Sequence, residues 1–132
     1  MKDSTSVNTR KKILLIEDNI DTQLIYKIYL RDNFDLEVTN SGETGVKLLN
    51  ENQYDLLILD INLPGKMDGS AVLNEIKNNT NVCASPVLVV TAYAMKEDRE
   101  KFISQGADDY LSKPVNKDDF MDKVNQIISS RN

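Results

Sequence analysis

Short apolar runs separated by longer stretches of helical period constrain this chain more than any other feature, because few folds satisfy them. Strands are expected near 12–16, 35–39, 55–60, 87–91 and 109–111, and helices near 19–32, 41–52, 68–78, 95–105 and 117–129. Strands that alternate with helices form βαβ units and a parallel sheet. The near-continuous apolar runs at 56–59 and 87–90 suit strands buried on both faces, so these two are placed centrally. Ser41, Asp68 and Asn116 stand where N-caps belong, and Gly106 where a left-handed C-terminal cap belongs. Phe120, Val124, Ile127 and Ile128 recur at i, i+4, i+7 and i+8 and give the last helix one apolar face.

The ends of these runs carry the chemistry. KILLI leads into Glu17-Asp18, LLIL into Asp60, VLVV into Thr91, and Tyr110-Leu111-Ser112 into Lys113-Pro114. In an open parallel sheet the carboxyl ends lie along one edge, where such folds bind ligands. Each residue has an ordinary alternative as a cap, turn former or solvated charge. In this order, each at a strand end, they describe one pocket. Three carboxylates brought together repel and destabilise the fold unless a cation neutralises them. Oxygen donors in small number suit Mg2+, commonly completed by a phosphate. With the metal offsetting charge repulsion, Asp60 serves as a nucleophile toward phosphorus. Carboxylates are ionised at neutral pH, so no general base is needed. Lys113 would hold one phosphoryl oxygen as a point charge, and the Thr91 hydroxyl would donate to another.

Composition narrows the field. The 132 residues fit one domain, long enough to bury ~68% of the surface of the unfolded chain. A net charge of -5 argues against a general nucleic-acid surface. Cys83 is the single cysteine, so neither an internal disulfide nor a cysteine-based zinc site forms, which fits a reducing cytoplasm. Histidine is absent, which removes phosphohistidine, Ser-His-Asp and histidine-ligated metal chemistry from this chain. Residues 1–10, MKDSTSVNTR, lack the apolar core of a signal peptide and are expected to be a disordered tail; no run reaches membrane-spanning length. The first helix carries apolar residues nearly all round, and its Ile20, Leu24, Ile28 stripe is a candidate partner-docking surface.

The segments ILLIEDN, LLILDINLP followed by MDG, VVTAYA and DDYLSKP, in this order and spacing, resemble the response-regulator receiver domain of two-component signalling over residues 11–130. The resemblance implies an α/β, flavodoxin-like, doubly wound sheet of five parallel strands in the order 2-1-3-4-5, with five helices. It implies a phosphoacceptor switch and not an enzyme with turnover: Asp60 receives a phosphoryl group from a phosphohistidine on a histidine kinase or histidine phosphotransfer protein, with Mg2+ as cofactor. Asp18, Asp60 and the Asn62 carbonyl would ligate the metal, with Glu17 binding through water. Lys113-Pro114 matches the family's Lys-Pro step, commonly cis. Tyr110 matches the aromatic switch position: Thr91 moves to meet the phosphoryl group and the vacated space admits the ring. The altered surface would be the fourth helix, fifth strand and fifth helix, read by a downstream protein; a monomer or a weak phosphorylation-dependent dimer is expected, with no direct nucleic-acid or membrane contact.

One departure lies beside the pocket. The family commonly has Pro, one residue, then Met-Asp-Gly, whereas Pro64-Gly65-Lys66-Met67-Asp68-Gly69 is one residue longer. That insertion puts the Asn62 carbonyl geometry in question. Tyr93 is placed to shield an acyl phosphate from water.

Two other classes share parts of this pattern. A haloacid-dehalogenase-type phosphatase needs a second aspartate two residues after its nucleophile as general acid, and Asn62 stands there. A flavodoxin-like flavin binder needs a Ser/Thr/Gly-rich phosphate loop after the first strand, where Glu17-Asp18-Asn19 would repel phosphate. From Met1 to SSRN the chain reads as a stand-alone receiver without an output domain; TAYAMKED equally resembles receivers of hybrid sensor kinases, and both readings stay open.

Overall fold

The structure, a computed structural model, describes residues 10–78, 85–92 and 96–130. Most of the expected tail, Cys83 and Tyr93 lie outside the described residues. Five strands, β1 (Lys11–Ile16), β2 (Phe34–Thr39), β3 (Leu56–Asp60), β4 (Val87–Thr91) and β5 (Asp109–Ser112), form one parallel sheet ordered β2-β1-β3-β4-β5. Between and after them run α1 (Ile20–Leu30), α2 (Gly42–Glu51), α3 (Gly69–Asn78), α4 (Lys96–Ser104) and α5 (Lys117–Ser130). The expected α/β architecture and strand order are those of the structure.

The period of two in the strands sorts the core into two layers. Leu14, Ile16, Leu57, Leu59 and Val89 point to one face, where Leu49 of α2, Leu73 of α3 and Phe102 of α4 cover them. Ile13, Leu15, Ile58, Leu88 and Val90 point to the other, under Tyr26 and Leu30 of α1 and Phe120 and Val124 of α5. Both middle runs, Leu56–Asp60 and Val87–Thr91, are buried along their whole length, as residues sandwiched between helical layers must be. The Tyr26 and Phe120 rings stack at 4.7 Å and tie α1 to α5, a contact worth ~1 kcal/mol beyond area burial.

The caps follow the sequence signals. Ser41, Asp68 and Asn116 accept from the backbone N–H of Thr44, Ala71 and Asp119 at 3.1, 2.9 and 2.8 Å. Asn116 Nδ2 also donates to Asp119 Oδ2 at 3.0 Å. After α4, Gly106 takes φ +113 as expected of that cap, and Ala107 N–H donates to Phe102 O. Asn19, not singled out from the sequence, caps α1 by accepting from Thr22 N–H at 2.9 Å. Among the described residues no helix is long and apolar enough to cross a membrane.

Candidate functional site

Four strand ends converge at the carboxyl edge. Glu17 continues β1 by one residue, its N–H donating to Thr39 O at 3.0 Å. Its side chain is turned inward and almost fully buried, while Asp18 beside it faces solvent. Glu17 Oε2 accepts from Asn19 N–H at 3.1 Å, and Gln23 Nε2 donates to the Glu17 carbonyl at 2.6 Å. The first turn of α1 therefore grips the residue that precedes it. Asp60 ends β3 at 3% exposure, its Oδ1 accepting from Asn62 N–H at 3.1 Å. Thr91 ends β4 and is fully buried. Its carbonyl accepts from Lys113 N–H at 2.7 Å, which anchors the backbone from which the lysine side chain extends. Lys113-Pro114 is cis, as the resemblance implied.

The Lys113 ammonium lies 3.1 Å from Glu17 Oε1 and 3.5 Å from Asp60 Oδ2. Glu17, Asp18 and Asp60 each offer one carboxylate oxygen, all within 4.8 Å of one another. Three carboxylates against one ammonium leave this pocket negative. Burial first, and then the Asp60 charge, push the Glu17 carboxyl up from 4.5 to about 7, against the opposing pull of the Asn19 amide and Lys113. A carboxyl held that high reflects its burial first and the Asp60 charge second. Hard oxygen donors on that scale fit a small divalent cation such as Mg2+, and the donor set therefore agrees with the metal that the sequence implied.

The loop after β3 turns out into solvent and returns to the core. Gly65 takes φ +86 with open space around it, and Pro64, Gly65 and Lys66 are all exposed, so the additional residue bulges into solvent. Met67 returns to pack on the core. Gly69 N–H then donates to Ile61 O at 3.1 Å. A Cβ on Gly69 would come within 2.5 Å of Ile61 Cα and 2.7 Å of Asp60 O. Gly69→Ala must therefore displace the backbone that carries Asp60. The expected loss is ~2 kcal/mol in urea unfolding, together with weaker Mg2+ binding in titration calorimetry; an alanine variant unchanged in both would contradict this packing.

Tyr110 on β5 is half-buried and stacks on Phe102 of α4 with ring centroids 6.2 Å apart. The neighbouring Asp109 pairs with Arg99 of α4 at 3.9 Å and with Lys123 of α5 at 2.9 Å. The two helices that flank β5 thus share one carboxylate on the surface where a switch was expected.

The apolar face of α1 divides in two. Ile25, Tyr26 and Tyr29 line a groove of about 450 Å3 with Lys113, Pro114 and Val115, immediately beside the pocket. Ile20, Leu24 and Ile28 are exposed but face the other flank, toward β2. Sequence reasoning missed the Ile25–Tyr29 groove, and also Gln23 and Gly69. A 3.6-residue period in Ile25 and Tyr29 was visible, but which stripe adjoins Lys113 depends on how α1 crosses the sheet.

The fold and the pocket first define a class: an open, doubly wound α/β protein with an acidic, lysine-bearing pocket at the carboxyl edge of its sheet. The chain matches the response regulator receiver domain model over residues 13–125 and belongs to that family. Such domains are signalling modules that work with histidine kinases or phosphotransfer proteins in two-component and phosphorelay pathways. The chain is 33% identical over 114 residues to hybrid signal transduction histidine kinase I of Dictyostelium discoideum, covering 80% of this chain and 6% of that protein. It is 32% identical over 118 residues to the cell cycle response regulator CtrA of Brucella ovis, covering 89% of this chain and 50% of that one. It thus spans half or less of these relatives. Among solved structures, the Francisella response regulator 1452 receiver domain superposes with a TM-score of 0.86 at 26% identity, covering 93% of this chain and all (100%) of that one. The receiver domain of sensor histidine kinase PA1611 from Pseudomonas aeruginosa PAO1 superposes at 0.82 with 29% identity, covering 92% and 99%, and holds a magnesium ion in its active-site cleft.

Proposed function

We propose that this chain is a phosphoacceptor switch in which Asp60 takes a phosphoryl group from a phosphohistidine on a partner kinase or phosphotransfer protein. The observation that carries this reading is the Asp60 carboxylate, buried at the sheet edge, 3.5 Å from the Lys113 ammonium and within one oxygen cluster with Glu17 and Asp18. An Asp60 oxygen forms the new O–P bond as the donor's N–P bond breaks, leaving the electron pair on the imidazole nitrogen. Glu17, Asp18, Asp60 and the Asn62 carbonyl would hold Mg2+. When bound, the metal supplies positive charge that offsets repulsion between the incoming phosphoryl group and the carboxylates. Lys113 exchanges its contact with Asp60 Oδ2 for a phosphoryl oxygen, and the Thr91 hydroxyl donates to another. The Ile25–Tyr29–Pro114 groove receives the donor protein, because it is an apolar surface that adjoins Lys113.

The response travels along β4 and β5. Thr91 moves toward the new acceptor oxygens, and Tyr110 turns from its stack on Phe102 into the vacated space. That turn loosens the α4–β5–α5 surface at Asp109, which a downstream protein reads. Phosphorylation acts by its differential affinity for the two arrangements. Residues 11–130 make up the receiver unit, working in the cytoplasm.

Intact mass after incubation with acetyl phosphate and Mg2+ tests the reading. The parent chain is expected to gain one phosphoryl mass and Asp60→Ala none. A gain retained by Asp60→Ala would remove Asp60 from the role, and no gain by the parent chain at any Mg2+ level would remove the phosphoacceptor reading itself.

A further inference from the structure

The Ile20, Leu24, Ile28 stripe belongs to a longer feature that the phosphoacceptor pocket does not use. Leu24 and Ile28 line a groove of about 520 Å3 with Phe34 and Leu36 of β2, and Ile20 lines one of about 340 Å3 with Val38. Lys27 lines both, so the two grooves adjoin at this residue and are treated together as one channel along the outer flank of the sheet. At 76%, 57% and 47% exposure, the three α1 residues form a row on its rim, unlike the single apolar residues scattered over ordinary surfaces.

The other rim is a strand edge, covered at Phe34, whose carbonyl accepts from the Arg10 guanidinium at 2.8 Å, and open beyond it at Leu36 and Val38. β2 ends the sheet and pairs only with β1 among the described residues. In a parallel ladder one residue bonds to a given neighbour and the next turns its N–H and C=O the other way. Thr39 O accepts from Glu17 N–H, and Thr39 is opposite Ile16, so Asp35, Glu37 and Thr39 bond inward to β1. Leu36 and Val38 therefore turn their backbone groups outward, above the channel that their side chains help to line. Charged side chains commonly block such edges. Here the two on β2 already have partners: Arg10 pairs with Asp35 at 3.7 Å at the end of the groove, and Tyr54 donates its hydroxyl to Glu37 at 2.6 Å.

Charge points to the occupant. Arg10, Lys27 and Arg31 line the channel with one carboxylate, Asp35, which makes it cationic on a chain of net charge -5. Lys27 and Arg31 enter no ion pair among the described residues. A cationic, apolar channel beneath outward-facing amides suits an extended acidic segment added as a sixth strand.

We propose that the α1–β2 channel docks an extended segment of a partner protein by strand addition to β2. Every second side chain of that segment faces the channel; among these, branched apolar residues rest on Leu24, Ile28, Leu36 and Val38, and acidic residues meet Lys27 and Arg31.

The probe is a fluorescein-labelled eight-residue peptide with valine and glutamate taking turns at every second position and threonine between them, titrated against the full 132-residue chain. Saturable binding is expected by anisotropy, with slowed amide exchange at Leu36 and Val38. The double substitution Lys27→Glu with Arg31→Glu is expected to weaken binding at least tenfold, as is Leu24→Asp. A peptide with lysine in place of glutamate is expected not to bind. Absent binding, equal binding by the double variant, or binding that leaves the Leu36 and Val38 amides unprotected overturns the proposal. A dimer of the peptide-free chain in sedimentation equilibrium that Leu24→Asp disperses assigns the channel to a second copy and overturns it too. All these variants change exposed side chains of α1 or of Arg31, its C-cap, and circular dichroism verifies their folding.

Discussion

Lys113→Ala is expected to lose about 3 kcal/mol of stability in metal-free buffer and, at the same time, to bind Mg2+ more tightly than the parent chain. The ammonium is the counter-charge to two buried carboxylates, at 3.1 Å from Glu17 and 3.5 Å from Asp60. Removing one partner of a buried pair costs ~3–5 kcal/mol, and the quarter of Lys113 left open to solvent places this case at the lower end. For a chain of this length ~3 kcal/mol lowers Tm by roughly 10–15 °C. The same ammonium repels an incoming cation, so its loss makes the pocket a better metal site. Saturating Mg2+ then restores more stability to the variant than to the parent chain, through preferential binding to the folded state. Phosphoryl uptake falls in the variant even though its metal site is strengthened. Urea unfolding with chelator and Mg2+ titration calorimetry read the two effects separately. Weaker Mg2+ binding by Lys113→Ala would show that the lysine organises the carboxylates more than it opposes the cation.

The second large effect is a pH slope that belongs to one residue. Between 4.5 and about 7 the folded chain keeps a proton on Glu17 that the unfolded chain has released. More protons bound to the folded state means that stability falls as pH rises, so this group destabilises the metal-free fold progressively up to about pH 7 and by a constant amount above it. Glu17→Gln has no proton to lose there. It is expected to be less pH-sensitive than the parent chain across that window, and more stable above it, while losing Mg2+ affinity. Saturating Mg2+ flattens the parent slope, because a bound cation favours the carboxylate. Chemical denaturation at a series of pH values, with chelator or with Mg2+, gives the comparison; parallel slopes for the parent chain and Glu17→Gln would show that burial of Glu17 costs nothing. A buried acidic group that weakens the apo fold and strengthens the metal site illustrates why local consistency is relaxed at functional positions.

Much of the site was legible because a parallel sheet turns sequence order into spatial order. Once KILLI, LLIL and VLVV are strands, the residues that follow them must meet at one edge, whatever the loops do. The caps at Ser41, Asp68 and Asn116 were legible because a cap bonds within its own first turn. The α5 stripe was legible because its four apolar residues share one face of one helix. Gln23 was not, since its bond to the Glu17 carbonyl depends on the angle at which α1 leaves the strand. The longer loop after β3 was legible as a length, but its direction was not. Gly65 sends the added residue outward while Gly69 seats against Asp60 O and Ile61, contacts that no local pattern in the loop encodes.

Periodicity and run-end chemistry in the sequence determined the layer architecture, the edge that holds the pocket and the residues that line it, because period and order are local properties of a chain. Only the tertiary structure decided that the Glu17 side chain is buried while Asp18 is exposed, that one ammonium lies between Glu17 and Asp60, and which stripe of α1 adjoins the pocket and which runs along the free edge of β2. Those outcomes depend on helix crossing angles and on side chains brought together from up to 96 residues apart, which packing of the whole core sets and no local pattern encodes.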